Sequence, residues 1–313
     1  MAIMPTFDSE LLLPTPCHLL EAHSFLGMPI WVKRDDLLHP VVSGNKYRKL
    51  KYPLLEIARQ AREPGQIPTL VTMGGLWSNH VHATAYAARR MGFGSLALIR
   101  GHVGMDSAML DDCRTQGMQI RFVDRRHYRQ LREQPDCWRT ETDWSDSHSW
   151  LPEGGSDPAA LHGVAELIAE LPFIPDLMLV ACGTAATLAG LLAGLKGRSQ
   201  VAGIAVLNNA GYLRSEVSRL LREAGYPDYQ NYELHTGFHH GGYAKVSPEL
   251  RQFCRQFVEQ FQVPIEPVYT GKVFFALKCL IQSGAIPLNK SVLVLHTGGM
   301  QGARGSIDKV HQQ

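Results

Sequence analysis

Lys46 lies in the stretch Ser43-Gly44-Asn45-Lys46-Tyr47-Arg48-Lys49-Leu50, shortly after Lys33-Arg34-Asp35-Asp36. A lysine behind Gly-Asn sits where a loop turns into a helix. Gly44 takes backbone angles that side chains disfavour, and Asn45 or Ser43 can cap the helix that follows. An amine at a positive helix end, near Arg48 and Lys49, is expected to have a lowered pKa. A lowered pKa suits a lysine that forms a Schiff base, because the free amine is the nucleophile. The same residues also describe a plain solvated helix start rich in bases.

Four more turns carry groups that could do chemistry. Gly74-Gly75-Leu76-Trp77-Ser78-Asn79-His80 offers a hydroxyl, an amide and an imidazole at a helix start, or simply an N-cap at Ser78 or Asn79. Gly183-Thr184-Ala185-Ala186-Thr187 presents backbone N–H groups at a positive helix end, which suits a phosphate. The turn matches neither the P-loop nor the dinucleotide fingerprint, which argues against an ordinary NTPase and a nicotinamide dehydrogenase. Pro267-Val268-Tyr269-Thr270-Gly271-Lys272 contains a tyrosine that is an acid, base or nucleophile if its pKa falls, and otherwise a packed aromatic. Leu295-His296-Thr297-Gly298-Gly299 puts a hydroxyl directly after a buried strand, as a ring contact or a cap. His239-His240 has no third ligand at metal spacing, so a polar loop and no metal are expected.

The elements that must position these turns alternate strand, glycine turn and helix. Strands are predicted at 69–73, 95–99, 120–123, 177–181, 201–206 and 292–295. Helices are predicted at 81–91 and 109–115, through Val164, Leu167 and Ile168, and through Leu188 to Leu195. This alternation signals parallel sheets with helices on both faces. Ligands in such folds bind at the carboxyl ends of the strands, where these turns lie. Residues 133–149 read as a polar surface excursion. Pro53 interrupts an apolar helical face, so the helix after Lys46 is expected to be short, with Pro53 starting or kinking a second one.

The 313 residues suggest two domains, and 45% hydrophobic residues supply a sizeable core. A net charge of +2 gives no electrostatic case for nucleic acid or an anionic membrane. Six scattered cysteines without a C-x-x-C pair fit reduced thiols. Met1 to Glu10 lacks signal-peptide character, and the apolar runs are interrupted short of membrane-spanning length. A soluble cytoplasmic protein is expected.

Taken in order, these stretches resemble the 1-aminocyclopropane-1-carboxylate deaminase and D-cysteine desulfhydrase family. The motifs are Lys33-Arg34-Asp35-Asp36, Gly44-Asn45-Lys46 with Arg48-Lys49-Leu50, Gly74-Gly75 with Ser78-Asn79-His80, and Pro152-Glu153-Gly154-Gly155-Ser156. The turn after Cys182, Pro267-Val268-Tyr269 and His296-Thr297-Gly298-Gly299 complete the series. The resemblance covers nearly the whole chain, and ordered matches are far more specific than any one of them. It implies an α/β chain of the tryptophan synthase β-like fold (fold type II), with two open, twisted, mostly parallel sheets and helices on both faces. It also implies a larger cofactor domain from residues 1–51 and 157–313, a smaller inserted α/β domain at 52–156, and a homodimer.

The implied cofactor is pyridoxal 5'-phosphate. By the resemblance Lys46 is its Schiff-base lysine, with Asn45 alongside. Asn79 meets the phenolic oxygen, and Gly183, Thr184, Ala185, Ala186 and Thr187 hold the phosphate. Ser78 and His80 face the substrate carboxylate or α-carbon, and Tyr243 and Tyr269 are the two active-site tyrosines. The family's turn has more glycines than this one, with its Ala185 and Ala186. The deaminase branch has glutamate and leucine where this chain has Thr270, expected by the resemblance among the substrate-binding residues, and Thr297, expected among the cofactor-binding ones. A hydroxyl is a weaker partner for the pyridine nitrogen than a carboxylate, which suits β-elimination better than opening a cyclopropane ring.

The mechanism so implied starts when a small amino acid displaces Lys46. Freed Lys46, or the hydroxyl of Ser78 or Tyr269, removes the α-proton. The β-substituent then leaves, as hydrogen sulfide in the case of D-cysteine, and the product hydrolyses to pyruvate and ammonia. The alternatives are 1-aminocyclopropane-1-carboxylate deamination, loss of another group such as sulfite, or a non-catalytic protein that binds the cofactor or an amino acid.

Overall fold

The computed structural model describes residues 10–21, 23, 25–42, 44–60, 67–141 and 147–304. Ser43 and nearly all of Met1 to Glu10 lie outside them. The strands are β1 (Cys17–Leu20), β2 (Ile30–Lys33), β3 (Thr69–Gly74), β4 (Gly94–Arg100), β5 (Gln119–Val123), β6 (His148–Leu151), β7 (Leu177–Cys182), β8 (Gln200–Ala205), β9 (Tyr232–His235) and β10 (Val292–Leu295). The helices are α1 (Asn45–Gln60), α2 (Asn79–Met91), α3 (Ala108–Thr115), α4 (Arg125–Glu133), α5 (Trp138–Glu141), α6 (Ala160–Ala165), α7 (Ala186–Leu195), α8 (Leu213–Glu223), α9 (Pro248–Phe261) and α10 (Thr270–Gln282).

Two sheets form. One has the order β1-β2-β10-β7-β8-β9, parallel except for β1 against β2. The other, β5-β4-β3-β6, is parallel throughout. Parallel strands covered on both faces read as unbroken apolar runs, and β10, Val-Leu-Val-Leu, is buried at all four positions. The pairing of β2 with β10 joins the two ends of the chain in one sheet, while the four-stranded sheet lies within residues 69–151. On one face of the larger sheet, α9 and α10 stack Phe253, Phe257, Phe261, Phe274 and Phe275. The other face is covered by the leucines of α7 and α8. Among the described residues no helix is long and apolar enough to cross a membrane, and all six cysteines are free thiols.

Two expectations are corrected. Helix α1 runs unbroken for 16 residues with Pro53 inside it. A proline there costs about 3 kcal/mol in an isolated helix. Here seven side chains of α1, Pro53 among them, are buried, so packing outweighs propensity. The expected domain boundary at 51/52 therefore falls inside a helix. The stretch 133–149 is more than a surface excursion, because Trp138 is buried and stacks on Trp150 with centroids 6.0 Å apart. Residues 142–146 of that stretch lie outside the described residues.

Candidate active site

Two of the turns leave the carboxyl ends of β7 and β10 and meet the start of α1, while the turn after β3 lines the larger cleft beside them. Together with Gly154 and Tyr269 the two turns enclose a small cavity of about 60 Å³, floored by Lys46, Lys49, Cys182 to Ala185, Thr187 and Thr297. A cleft of about 1080 Å³ adjoins it, and Ser78, Asn79, His80, Tyr243 and Tyr269 lie along its wall with Lys46.

The start of α1 is pinned from two sides. Gly44 has φ +58, and a Cβ there would sit 2.1 Å from the Thr297 carbonyl oxygen, so glycine is required for this approach. The Asn45 N–H donates to that carbonyl at 3.2 Å. The Asn45 side chain does not cap the helix as expected. Its Nδ2 reaches across to Thr187 Oγ1 at 3.1 Å and ties α1 to the 183–187 turn.

Burial lowers the Lys46 pKa to about 8. The expected contribution of Arg48 is corrected, because Arg48 points away from the cavity into a buried ion network. Its guanidinium holds both oxygens of Asp35, at 2.6 and 2.8 Å, and both of Glu170, at 2.8 and 3.0 Å. Lys33 joins the network through Glu170 at 2.8 Å.

Lys49 and His80 complete a cluster of bases. Lys49 is buried, donates to the Gly154 carbonyl at 3.0 Å, and has no carboxylate partner among the described residues. Burial first, then Lys46, hold its pKa well below the lysine range. His80 is 2% exposed, and neither ring nitrogen has a hydrogen-bond partner. Burial, then Lys46 and Lys49, keep it neutral at physiological pH. No Asp or Glu lines the small cavity. Lys46 and Lys49, with no acid beside them in the small cavity, define a place for an anion, and His80 faces the adjoining cleft.

The 183–187 turn meets the requirements of a phosphate cradle. Ala185 has φ +64, a left-handed conformation uncommon for alanine, at the N-cap of α7. The first-turn N–H groups of that helix have no carbonyl partner within it. Ser156 Oγ donates to the Thr184 carbonyl at 2.8 Å and holds the turn from the far side.

Over residues 9–298 the chain matches the family model described as pyridoxal-phosphate dependent enzyme. The chain belongs to this family. A provisionally named 1-aminocyclopropane-1-carboxylate deaminase of Pyrococcus horikoshii is 29% identical, over 99% of this chain and 97% of the relative. The mitochondrial bifunctional D-cysteine desulfhydrase/1-aminocyclopropane-1-carboxylate deaminase of Arabidopsis thaliana is 26% identical, over 95% of this chain and 79% of that protein. A crystal structure described as an ACC deaminase homologue is 27% identical, covers 99% of both chains and superposes with a TM-score of 0.81. The protein is thus a pyridoxal-phosphate-dependent enzyme of the elimination and deamination class, with the fold-type II architecture.

The site of this pyridoxal-phosphate enzyme fits its cofactor on its own chemistry. A lysine amine near neutrality suits the aldehyde, while Lys49 and the N-terminus of α7 suit the phosphate. Ser78 caps α2 by accepting the Val81 N–H at 3.3 Å. Asn79 follows it, with Oδ1 accepting from Gln301 Nε2 at 2.5 Å. The Tyr269 hydroxyl donates to Tyr243 at 3.1 Å. Burial, then Tyr243, push the Tyr269 phenol well above its ordinary value. The fall in pKa that would make it a base is absent, and the group is a proton-holding donor.

The two threonines part company. Thr297 lines the small cavity. Thr270 is fully buried at the start of α10, where its hydroxyl bonds to Glu266 Oε1 at 3.2 Å, and it lines neither cavity. Lys49 lines the small cavity, and sequence reasoning passed over it as a mere neighbour of Lys46. Its spacing of three from Lys46 puts both on one helix face. His80 was expected in the site, but its lack of any partner shows only in three dimensions.

Proposed function

We propose that the protein catalyses α,β-elimination on a small amino acid, as a D-cysteine desulfhydrase-like lyase that forms pyruvate, hydrogen sulfide and ammonia. The observation that carries this reading is the acid-free small cavity that Thr297 helps to line. A carboxylate there would keep the pyridine nitrogen protonated, whereas a hydroxyl does so weakly. Weak electron withdrawal suits a reaction in which a good leaving group departs as the α-proton is lost.

When bound, pyridoxal phosphate supplies an electron sink that acidifies the α-hydrogen of an amino acid joined to it. Lys46 Nζ provides the amine that anchors the aldehyde and, once released, takes the α-proton. Lys49 Nζ and the N-terminus of α7 bind the phosphate, with Gly183, Thr184, Ala185, Ala186 and Thr187 shaping the cradle. Asn45 holds that turn through Thr187. Asn79 donates to the phenolic oxygen. Ser78 Oγ and the neutral His80 orient the substrate carboxylate. The Tyr269 phenol, supported by Tyr243, is placed to protonate the departing sulfur. Thr270 supports Tyr269 from behind through Glu266 and makes no substrate contact in this reading.

A homodimer in the cytoplasm is part of the same proposal. So is a cofactor domain built by both chain ends around an inserted domain at 52–156. It is supported by the separate sheet within residues 69–151.

The test compares products. Yellow holoenzyme is given D-cysteine, L-cysteine and 1-aminocyclopropane-1-carboxylate, and sulfide and 2-oxobutanoate are assayed. Sulfide and pyruvate from D-cysteine are expected. If 2-oxobutanoate is the only product, the deaminase reading borne by the named relatives replaces this one. A protein that stays colourless with added cofactor, with no borohydride-fixed label on Lys46, removes both.

A further inference from the structure

The amide of Asn79 can present either its oxygen or its nitrogen to the cleft, and only the nitrogen stabilises an anionic oxygen. The segment after β10 decides between them. Arg304 forms an ion pair with Asp112 at 2.5 Å, and the same guanidinium nitrogen lies 3.4 Å from Gln301 Oε1. A second contact runs from Arg304 Nε to the Gln301 carbonyl at 3.4 Å. A guanidinium only donates, so the oxygen of the Gln301 amide must face it. Gln301 Nε2 is then the end that meets Asn79, and it donates to Oδ1 at 2.5 Å. Asn79 is left with Nδ2 as its free end.

The Asn79 amide is also closely packed by backbone, while its sense is set by the hydrogen bonds alone. A Cβ on Gly299 would lie 2.6 Å from Asn79 Nδ2, and one on Gly302 would lie 3.1 Å from Oδ1. Asp112 is held in turn by His82 at 3.2 Å. The relay also bridges the two sheets: Gln301 and Arg304 follow β10, while Asn79 and Asp112 belong to α2 and α3 of the smaller unit.

We infer that Gln301, oriented by Arg304 and Asp112, is a positioning residue that fixes the sense of the Asn79 amide so that Nδ2 donates to the phenolic oxygen of the cofactor. This rests on the role of Asn79 proposed above. The relay contains no group that touches the cofactor except Asn79 itself, so its effect must pass through that one hydrogen bond. Gln301, Arg304 and Asp112 line neither the cavity nor the cleft, whose titratable and charged groups are Lys46, Lys49, His80, Arg100, Tyr128, Arg132, Glu133, Glu153, Cys182, Tyr212, Glu216, Arg219, Tyr243, Lys245 and Tyr269.

The experiment is a pH titration of the visible absorption band of the holoenzyme in Asn79→Ala, Gln301→Glu and the double variant. Gln301→Glu keeps size and strengthens the contact with Arg304, but its carboxylate can only accept, so it turns the Asn79 nitrogen away from the cofactor. Loss of a donor to the anionic oxygen raises its proton affinity. Asn79→Ala should therefore raise the band's pH midpoint by about one unit, a tenfold change in the equilibrium. Gln301→Glu should do the same, while Gln301→Met, which frees the amide without reversing it, should give a smaller rise. In the Asn79→Ala background, Gln301→Glu should add almost nothing.

A Gln301→Glu shift that persists in that background would show a plain charge effect and overturn the inference. So would an unmoved midpoint in Gln301→Glu when Asn79→Ala moves it, and in that case the role of Asn79 stands. If Asn79→Ala leaves the midpoint unmoved, the role of Asn79 falls and the relay with it.

Discussion

Arg48 and Lys51 leave one side of α1, and Lys46 and Lys49 leave the other. Arg48 is matched by Asp35 and Glu170, and Lys51 lies 2.5 Å from Glu166. Burial works against the charge of Arg48, but the two carboxylates outweigh it and raise its pKa. Lys46 and Lys49 meet no carboxylate, and burial lowers both. Four cations within one and a half turns thus divide by partner. The paired ones hold the helix in place. The unpaired ones destabilise the cofactor-free chain and are matched only when an anion arrives.

The largest expected effect lies on the unpaired side. Lys46→Ala should lower turnover by at least roughly 10³-fold, the scale of losing a positioned base, and borohydride should no longer fix the cofactor to the chain. Steady-state sulfide release and mass analysis of the reduced protein check both. Comparable turnover in Lys46→Ala would remove the distinction between the two sides at its root.

The sharpest test sets neighbours against each other in urea unfolding of the cofactor-free protein. Arg48→Met leaves Asp35 buried without a cation and Glu170 with Lys33 alone, and should cost about 3–5 kcal/mol. Lys49→Met removes an unmatched base and should be neutral or stabilising. The same Lys49→Met should weaken cofactor binding roughly 10- to 100-fold, the value of a charge-assisted hydrogen bond. Equal destabilisation by both variants would break the comparison.

This division shows why some of the site could be read from the sequence and some could not. The strands and the turns at their ends were legible because apolar runs, glycine breaks and hydroxyls are local signals, and β3, β4, β7 and β10 fall within a residue or so of expectation. Lys46 was legible from Gly-Asn before it. The role of Lys33-Arg34-Asp35-Asp36 was not. Alternate residues there turn to opposite sides: Lys33 and Asp35 join Arg48 and Glu170, while Arg34 and Asp36 pair with each other and approach His296. Glu170 lies 122 residues from Arg48, so no local pattern reports that pairing. Pro53 misled for the same reason, since the packing that keeps α1 unbroken comes from distant residues. Thr270 was expected to touch the substrate and instead turns to Glu266, because which way a side chain turns at a helix start depends on a partner that no local pattern reports.

A pH effect of intermediate size separates the two sides again. Lys46 titrates near 8 in the folded chain, against an ordinary lysine value of 10.5. Between those values the unfolded chain holds a proton that the folded one has lost, so stability rises with pH across that window. Below about 8 the cost of the buried charge is fully present. Urea midpoints of the cofactor-free protein should climb from pH 7 to 9, below the range in which the buried thiols of Cys113, Cys182 and Cys254, pushed up to about 12, oppose the trend, and Lys46→Met should flatten part of the climb. Arg48 keeps its charge throughout, so its network adds no slope there. A flat wild-type profile would mean that Lys46 is matched after all.

The smallest expected effect concerns the two threonines, and here the comparison is between a residue in the cavity and one behind it. Thr297→Val removes the hydroxyl of a residue that lines the small cavity. It should lower kcat for D-cysteine several-fold, about 1 kcal/mol for one neutral hydrogen bond, with little change in melting temperature. Thr270→Val removes a hydroxyl that serves only Glu266, a buried carboxyl whose pKa burial raises to about 7. Glu266 still accepts the N–H groups of Val268, Tyr269 and Thr270 at 2.6 to 2.9 Å. The loss should therefore be about 1 kcal/mol of stability, seen as a lower melting temperature, with kcat nearly intact. If the assignments are reversed, so that Thr270→Val slows the reaction and Thr297→Val only softens the fold, Thr270 rather than Thr297 would have to be the partner of the pyridine ring, and the acid-free cavity would lose its place in the argument for elimination.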